Sequence, residues 1–143
     1  MTEMKIGGRV IPLLFTTFEM MAIQREIGCT ASQLRDEVLG YREDEEGQVS
    51  WGILQDGEKV AKLVALIRIL GNAGLEEDGK DPDLTDKWIL RHMKPGMILG
   101  YGIVAMAEIM DGMSMESPGF QEADGGPVDE ILEAENAKKE PGN

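Results

Sequence analysis

The chain has 143 residues, with 27 acidic and 14 basic side chains and a net charge of -13 at pH 7. This length suits one compact domain, and the charge opposes binding to nucleic-acid phosphates or anionic lipids, so an apolar or basic protein partner is favoured. The single cysteine, Cys29, excludes an intrachain disulfide and is typical of a reducing compartment.

The N-terminal segment predicts a hairpin followed by two helices. Residues 4–13 alternate weakly around Gly7 and Gly8, a pattern typical of a small β-hairpin. A first helix is predicted over 17–27, between a capping box at Thr16 and a glycine stop at Gly28. A second helix is predicted between Thr30 and Gly40, because Thr30 and Gln33 repeat the capping box and Gly40 supplies the stop.

The middle of the chain predicts an acidic loop and one strongly amphipathic helix. Residues 41–52 hold four consecutive acids and two glycines without periodicity, which indicates a solvated loop. Apolar residues then recur at helical spacing from about Glu58, and we expect Gly71 and Gly74 to end this third helix. Its apolar stripe consists of Val60, Leu63, Val64, Ile67 and Leu70.

Two further helices are predicted before the composition changes. A short fourth helix carries Trp88 and is capped by Thr85 or Asp83. A fifth helix is predicted over about 95–113, with apolar residues spaced by four, three, four and three. This heptad-like stripe consists of Leu99, Ile103, Met106, Met110 and Met113.

From Glu116 onward the chain becomes acidic and rich in glycine and proline. Residues 116–143 contain eight acidic side chains and two lysines, which leaves a charge of -6. Such composition predicts a disordered tail. The sequence therefore predicts a mainly α protein: a body over 1–115 with about five short helices and an N-terminal hairpin, and a flexible acidic tail over 116–143.

Residue types that carry catalysis or bind metals are sparse. His92 is the one histidine, so a metal site built on histidines is excluded and a dyad with Cys29 is unsupported. The segment 81–86 opens like a calcium loop, but Asp86 stands where that loop needs glycine. Gly100 and Gly102 fit a permissive dinucleotide pattern without a βαβ unit, so close helix packing is the better interpretation. We expect no catalytic residues, no metal and no cofactor.

Adaptable apolar side chains indicate a protein that holds a partner. Methionine thioethers fit irregular surfaces, and the C-terminal part of the body carries several of them. Five short helices bury little, so we also expect a homo-oligomer. Candidate residues for partner binding or self-association are Leu63, Ile67, Leu70, Leu99, Ile103, Met106, Met110 and Met113.

The order of these parts resembles the tail assembly chaperones of long-tailed bacteriophages and prophages. The resemblance covers roughly residues 4–115, from the hairpin KIGGRVIPLLF to the segment DPDLTDKWILRHM. It implies a non-enzymatic helical protein of the host cytoplasm that solubilises the tape-measure protein, recruits tail-tube subunits and is absent from the mature virion. No membrane or nucleic-acid partner is implied.

The resemblance also implies two products of one gene. Members of that family often make a longer form by ribosomal frameshifting, and Ala137-Lys138-Lys139 permits a slippery A-AAA-AAG codon run. The longer form would bind the tail-tube protein. Two ordinary lysines in an acidic tail are the alternative interpretation of Lys138 and Lys139.

The alternative function of the whole protein is that of an acidic DNA mimic or regulatory inhibitor, which would need carboxylates on a rigid face.

Overall fold

A computed structural model describes residues 1–115, of which Met1–Gly112 form one compact unit. Three 3-10 turns lie at Ala31–Gln33, Gly52–Gln55 and Pro95–Met97. The strands and α-helices, in chain order, are β1 (Thr2–Ile6), β2 (Arg9–Leu13), α1 (Thr17–Glu26), α2 (Leu34–Glu37), β3 (Tyr41–Glu43), β4 (Val49–Trp51), α3 (Gly57–Glu77), α4 (Asp86–His92) and α5 (Ile98–Gly112).

The predicted mainly α class is confirmed, with five α-helices and the N-terminal hairpin. The predicted acidic tail and the pair Lys138-Lys139 lie outside the described residues. Within residues 1–115, no helix is both long enough and apolar enough to cross a membrane.

The hairpin of β1 and β2 turns through two residues with positive φ. Gly7 has φ 58° and Gly8 has φ 79°, and the flanking Ile6 and Arg9 are partners in the antiparallel register. Left-handed conformation at both central positions is what a two-residue hairpin turn of type I′ requires, and glycine adopts it without a steric cost. The inward residues Ile6 and Ile11 are fully buried, so the hairpin supplies one wall of the core.

The predicted capping boxes are confirmed, although the second helix is shorter than predicted. At α1 the backbone N–H of Phe18 donates to Thr16 Oγ1 at 3.2 Å, and the N–H of Thr16 donates to Glu19 Oε1 at 2.9 Å. The N–H of Thr30 likewise donates to Gln33 Oε1 at 2.9 Å. One 3-10 turn and the four residues of α2 follow that second cap.

The prediction that Gly71 and Gly74 end the third helix is wrong. Helix α3 continues through both glycines to Glu77. A Cβ atom at Gly74 would overlap the carbonyl group of Pro12 and lie 3.1 Å from the backbone nitrogen of Leu13. The two glycines are therefore packing positions, because only a residue without a side chain lets β2 approach the helix this closely.

The prediction of a solvated loop over 41–52 is correct for exposure, since residues 42–50 are all exposed, but it is wrong for conformation. Strands β3 and β4 pair antiparallel, and the rings of Tyr41 and Trp51 meet edge to face with their centroids 5.1 Å apart. The connection is fixed by Asp44, whose Oδ1 accepts hydrogen bonds from the backbone N–H groups of Glu46 and Gln48. Strands of three residues are too short to show an alternating pattern, so the acidic composition dominated the sequence signal.

Candidate partner-binding surface

Helix α5 is held against the rest of the body by one apolar face. Tyr101, Ala105 and Ile109 are buried at spacings of four residues, which places them on the same side of the helix. On this side a Cβ atom at Gly102 would come within 2.5 Å of Leu39 Cδ2. The predicted role of helix glycines in close packing is therefore confirmed for Gly102.

A buried carboxylate fastens the same face of α5 to the N-terminal hairpin. Glu108 is 3% exposed, and its Oε1 accepts a hydrogen bond from Thr2 N at 2.9 Å. Its Oε2 accepts from Phe15 N at 3.1 Å. A buried charge is tolerated when its oxygens are hydrogen-bonded. Glu108 thus joins α5 to the first residue of β1 and to the segment after β2, and it fixes how the helix is rotated.

With this rotation fixed, the opposite side of α5 faces solvent and is apolar except at its C-terminal end, where Asp111 is also exposed. We call it the α5 outer face and define it by its exposed residues Gly100, Ile103, Ala107 and Met110. Ile103 is 51% exposed and Met110 is 68% exposed. Full burial of such a side chain stabilises by about 1.5–3 kcal/mol, so these two residues together still offer a partner on the order of 2–3 kcal/mol.

The structure separates the candidate residues into two groups. Leu63, Ile67 and Leu70 each have a relative exposure of 0% and lie in the core of the monomer. The prediction that these three residues bind a partner is therefore wrong. They belong to the apolar stripe of α3, which packs against β2 and other helices, so a partner cannot reach them. A helical stripe predicts burial equally well against the same chain or a partner, so the sequence could not tell these cases apart.

The candidates on the fifth helix remain available in part. Ile103 and Met110 lie on the α5 outer face, while Leu99 and Met106 are half-buried along one edge of it. Met113 follows the end of α5 and lies outside the unit Met1–Gly112. Of the eight candidates, Ile103 and Met110 are thus the best placed to contact a partner.

One apolar surface was missed by sequence reasoning. Phe18 is 74% exposed and Met21 is 56% exposed; both lie on α1. Phe18 borders a groove between α1 and α3 whose other lining residues include Leu14, Glu19, Ala22, Ile69, Ala73 and Glu76. Phe18 and the buried Glu19 share the first turn of α1, so position in the helix alone did not indicate that Phe18 is exposed.

The ionisable groups of the body show structural roles. Burial raises the pKa of the Cys29 thiol, which lowers its reactivity. His92 is exposed, stacks on Trp88 with a centroid distance of 4.3 Å, and places Nδ1 2.8 Å from the Trp88 carbonyl oxygen. Within residues 1–115, no three side chains of the types His, Cys, Asp and Glu lie close enough together to hold a metal ion.

Comparison with known proteins adds no family to this description. Protein-family models, curated proteins and solved structures were searched, and none matches this chain.

Proposed function

We propose that this protein is a holding protein for an apolar helical partner, and specifically a phage tail assembly chaperone that keeps the tape-measure protein soluble. The observation that carries the proposal is the α5 outer face. Its four defining residues are exposed and uncharged, with Asp111 beside them at the C-terminal end, although the chain as a whole carries a strong negative charge. A helix face of this kind suits an amphipathic helix that packs along it.

The chemistry of the face supports a role in holding rather than in catalysis. Ile103 gives a branched, rigid contact, and Met110 is an unbranched thioether that adapts to different neighbours. Gly100 has no atom within 4 Å of the position that a Cβ would take, so a partner helix has room for close approach there. The acidic remainder of the surface would keep the complex in solution.

The experiment is co-expression with a long helical tape-measure protein, which the proposal expects to be encoded downstream of this gene. We expect that protein to be soluble and to copurify with the wild-type chain. Met110→Glu should reduce the copurified amount at least about tenfold, because a carboxylate in an apolar contact is costly to desolvate. Gln24→Glu is the matched control, since it places the same charge at an exposed position of α1. Equal recovery with Met110→Glu and the control would contradict the proposal.

The same proposal includes self-association and a longer product. Met110→Glu should also weaken a concentration-dependent oligomer in sedimentation, and a strict monomer at millimolar concentration would count against it. The longer product would arise by slippage at Lys138 and Lys139 and would recruit the tail-tube protein. A codon choice there that cannot slip, read directly from the DNA, would remove this part of the proposal.

A further inference from the structure

The groove between α1 and α3, defined above, has an apolar floor with acidic groups at one end. Ala22, Ile69 and Ala73 are among the residues that line it, and the exposed ring of Phe18 stands beside them. A phenyl ring that is 74% exposed next to a groove is a large apolar surface left in water. The groove therefore favours an occupant with at least one apolar side chain.

The electrostatics of this groove favour a cationic occupant. Glu76 lines it and Glu77 lies next to it; both are exposed, and neither forms an ion pair with another residue of 1–115. They occupy the last turn of α3, where the helix dipole adds negative potential. Arg68 also lines the groove, but its guanidinium is bound by Glu26 at 3.0 Å and Asp86 at 2.7 Å.

Helix α4 and the residues just after it carry the complementary surface. Lys87, Leu90, Arg91 and Lys94 follow one another at spacings of three, one and three, so on α4 the first three share a side. Leu90 is 52% exposed. Among residues 1–115, none of the three cations forms an ion pair. The inward side of α4 is already used, because Ile89 is fully buried.

We propose that α4 of a second copy of this chain docks in the groove between α1 and α3. Leu90 of one copy would cover Phe18 of the other, and Lys87 and Arg91 would face Glu76 and Glu77. The inference does not depend on the proposed function. Two other occupants are disfavoured by charge: the acidic segment 116–143 and nucleic acid would both be repelled by the groove.

The two surfaces differ, so this contact is heterologous rather than two-fold symmetric. A copy that docks through its α4 still has an empty groove, and a copy whose groove is filled still has a free α4. Assembly therefore continues until it closes into a ring or grows as a filament. The contact should weaken as salt is added, because exposed charges are screened. Association through the α5 outer face, whose four defining residues are uncharged, should weaken much less, so the two contacts can be distinguished.

The test uses two charge-reversal variants of the full chain. Glu76→Lys/Glu77→Lys makes the groove basic and leaves α4 basic, whereas Lys87→Glu/Arg91→Glu makes α4 acidic and leaves the groove acidic. In sedimentation velocity at low salt, we expect each variant alone to associate roughly ten- to hundredfold more weakly than wild type, because like charges then meet. An equimolar mixture should recover association, since each groove again meets an α4 of opposite charge.

Matched controls separate this contact from a general effect of charge. Glu45→Lys/Glu46→Lys and Lys5→Glu/Arg42→Glu change the net charge by the same amounts at exposed positions that line neither surface, and they should associate as wild type does. Circular dichroism of each variant checks that it is folded. The inference is overturned if the wild type stays monomeric at low salt and millimolar concentration, if the controls lose association equally, or if the folded mixture fails to recover it.

Discussion

The contact between helix α3 and strand β2 makes a sharp prediction at Gly74. An alanine there places a methyl group against the carbonyl of Pro12, which is backbone and cannot rotate away. The helix and the strand must then separate. This separation also breaks the hydrogen bond that Leu14 N donates to the Leu70 carbonyl oxygen at 3.1 Å, because Leu14 directly follows β2.

The expected size follows from three contributions. Forcing an extra group into a packed site costs about 1–3 kcal/mol, and the lost hydrogen bond costs about 0.5–1.5 kcal/mol. Alanine gains up to about 1 kcal/mol over glycine through helix propensity. Gly74→Ala should therefore lower the free energy of unfolding by about 2 kcal/mol, which corresponds to a fall in Tm of roughly 8 °C for a domain of this size.

The assay is urea unfolding followed by circular dichroism, with Gly100→Ala as the matched control. Gly100 also lies inside a helix, but nothing lies within 4 Å of the position of its missing Cβ. Its substitution should keep the propensity gain and raise stability by up to about 1 kcal/mol. The reasoning is refuted if Gly74→Ala is as stable as wild type, or if the two alanine variants lose stability equally.

Three further predictions concern ionisable groups. Glu108→Ala should lower the free energy of unfolding by about 3 kcal/mol in urea titration, since two backbone N–H groups lose a charged acceptor, and Glu108→Gln should lose less. Cys29 is 7% exposed with a raised thiol pKa, so iodoacetamide should alkylate it at least about tenfold more slowly in the folded protein than in urea; rapid native labelling would contradict its burial. The hydrogen bond from Arg9 lowers the pKa of Asp83. The pair therefore stabilises the fold above the ordinary aspartate pKa of about 3.9, and this stabilisation is lost as the pH falls through the lower folded-state pKa. The Tm difference between wild type and Asp83→Asn should therefore close in acid, and a difference that persists there would show that the ion pair is not its source.

Local signals predicted the starts of helices well. The caps at Thr16, Thr30 and Thr85 depend on atoms two or three residues away, so the sequence contains the whole interaction. Gly28 is similar, because its positive φ of 88° ends α1 by local geometry. Gly74 looks the same in the sequence, but the atoms that require a glycine there belong to Pro12, far away along the chain. No local rule could have distinguished the two glycines.

The candidate surface could also be predicted only in part. The heptad spacing placed Ile103 and Met110 on one side of α5, which the structure shows to be exposed, because periodicity gives direction around a helix. The spacing could not show that Leu63 and Ile67 are buried within the same chain, since periodicity does not indicate which element packs against an apolar stripe. The groove beside Phe18 arises from the packing of α1 on α3, a tertiary contact for which the sequence carried no separate pattern.

The hydrogen bonds of Glu108 also affect the timing of folding during synthesis. Thr2 is made at the start of translation, but the carboxylate that accepts its N–H lies 106 residues later. At about 5–20 residues per second, the hairpin waits roughly 5–20 s for this partner. During that interval the apolar side chains of Met4 and Ile6 have no α5 to cover them. A nascent chain that stalls before Glu108 should therefore be more prone to aggregation than one that stalls after Gly112.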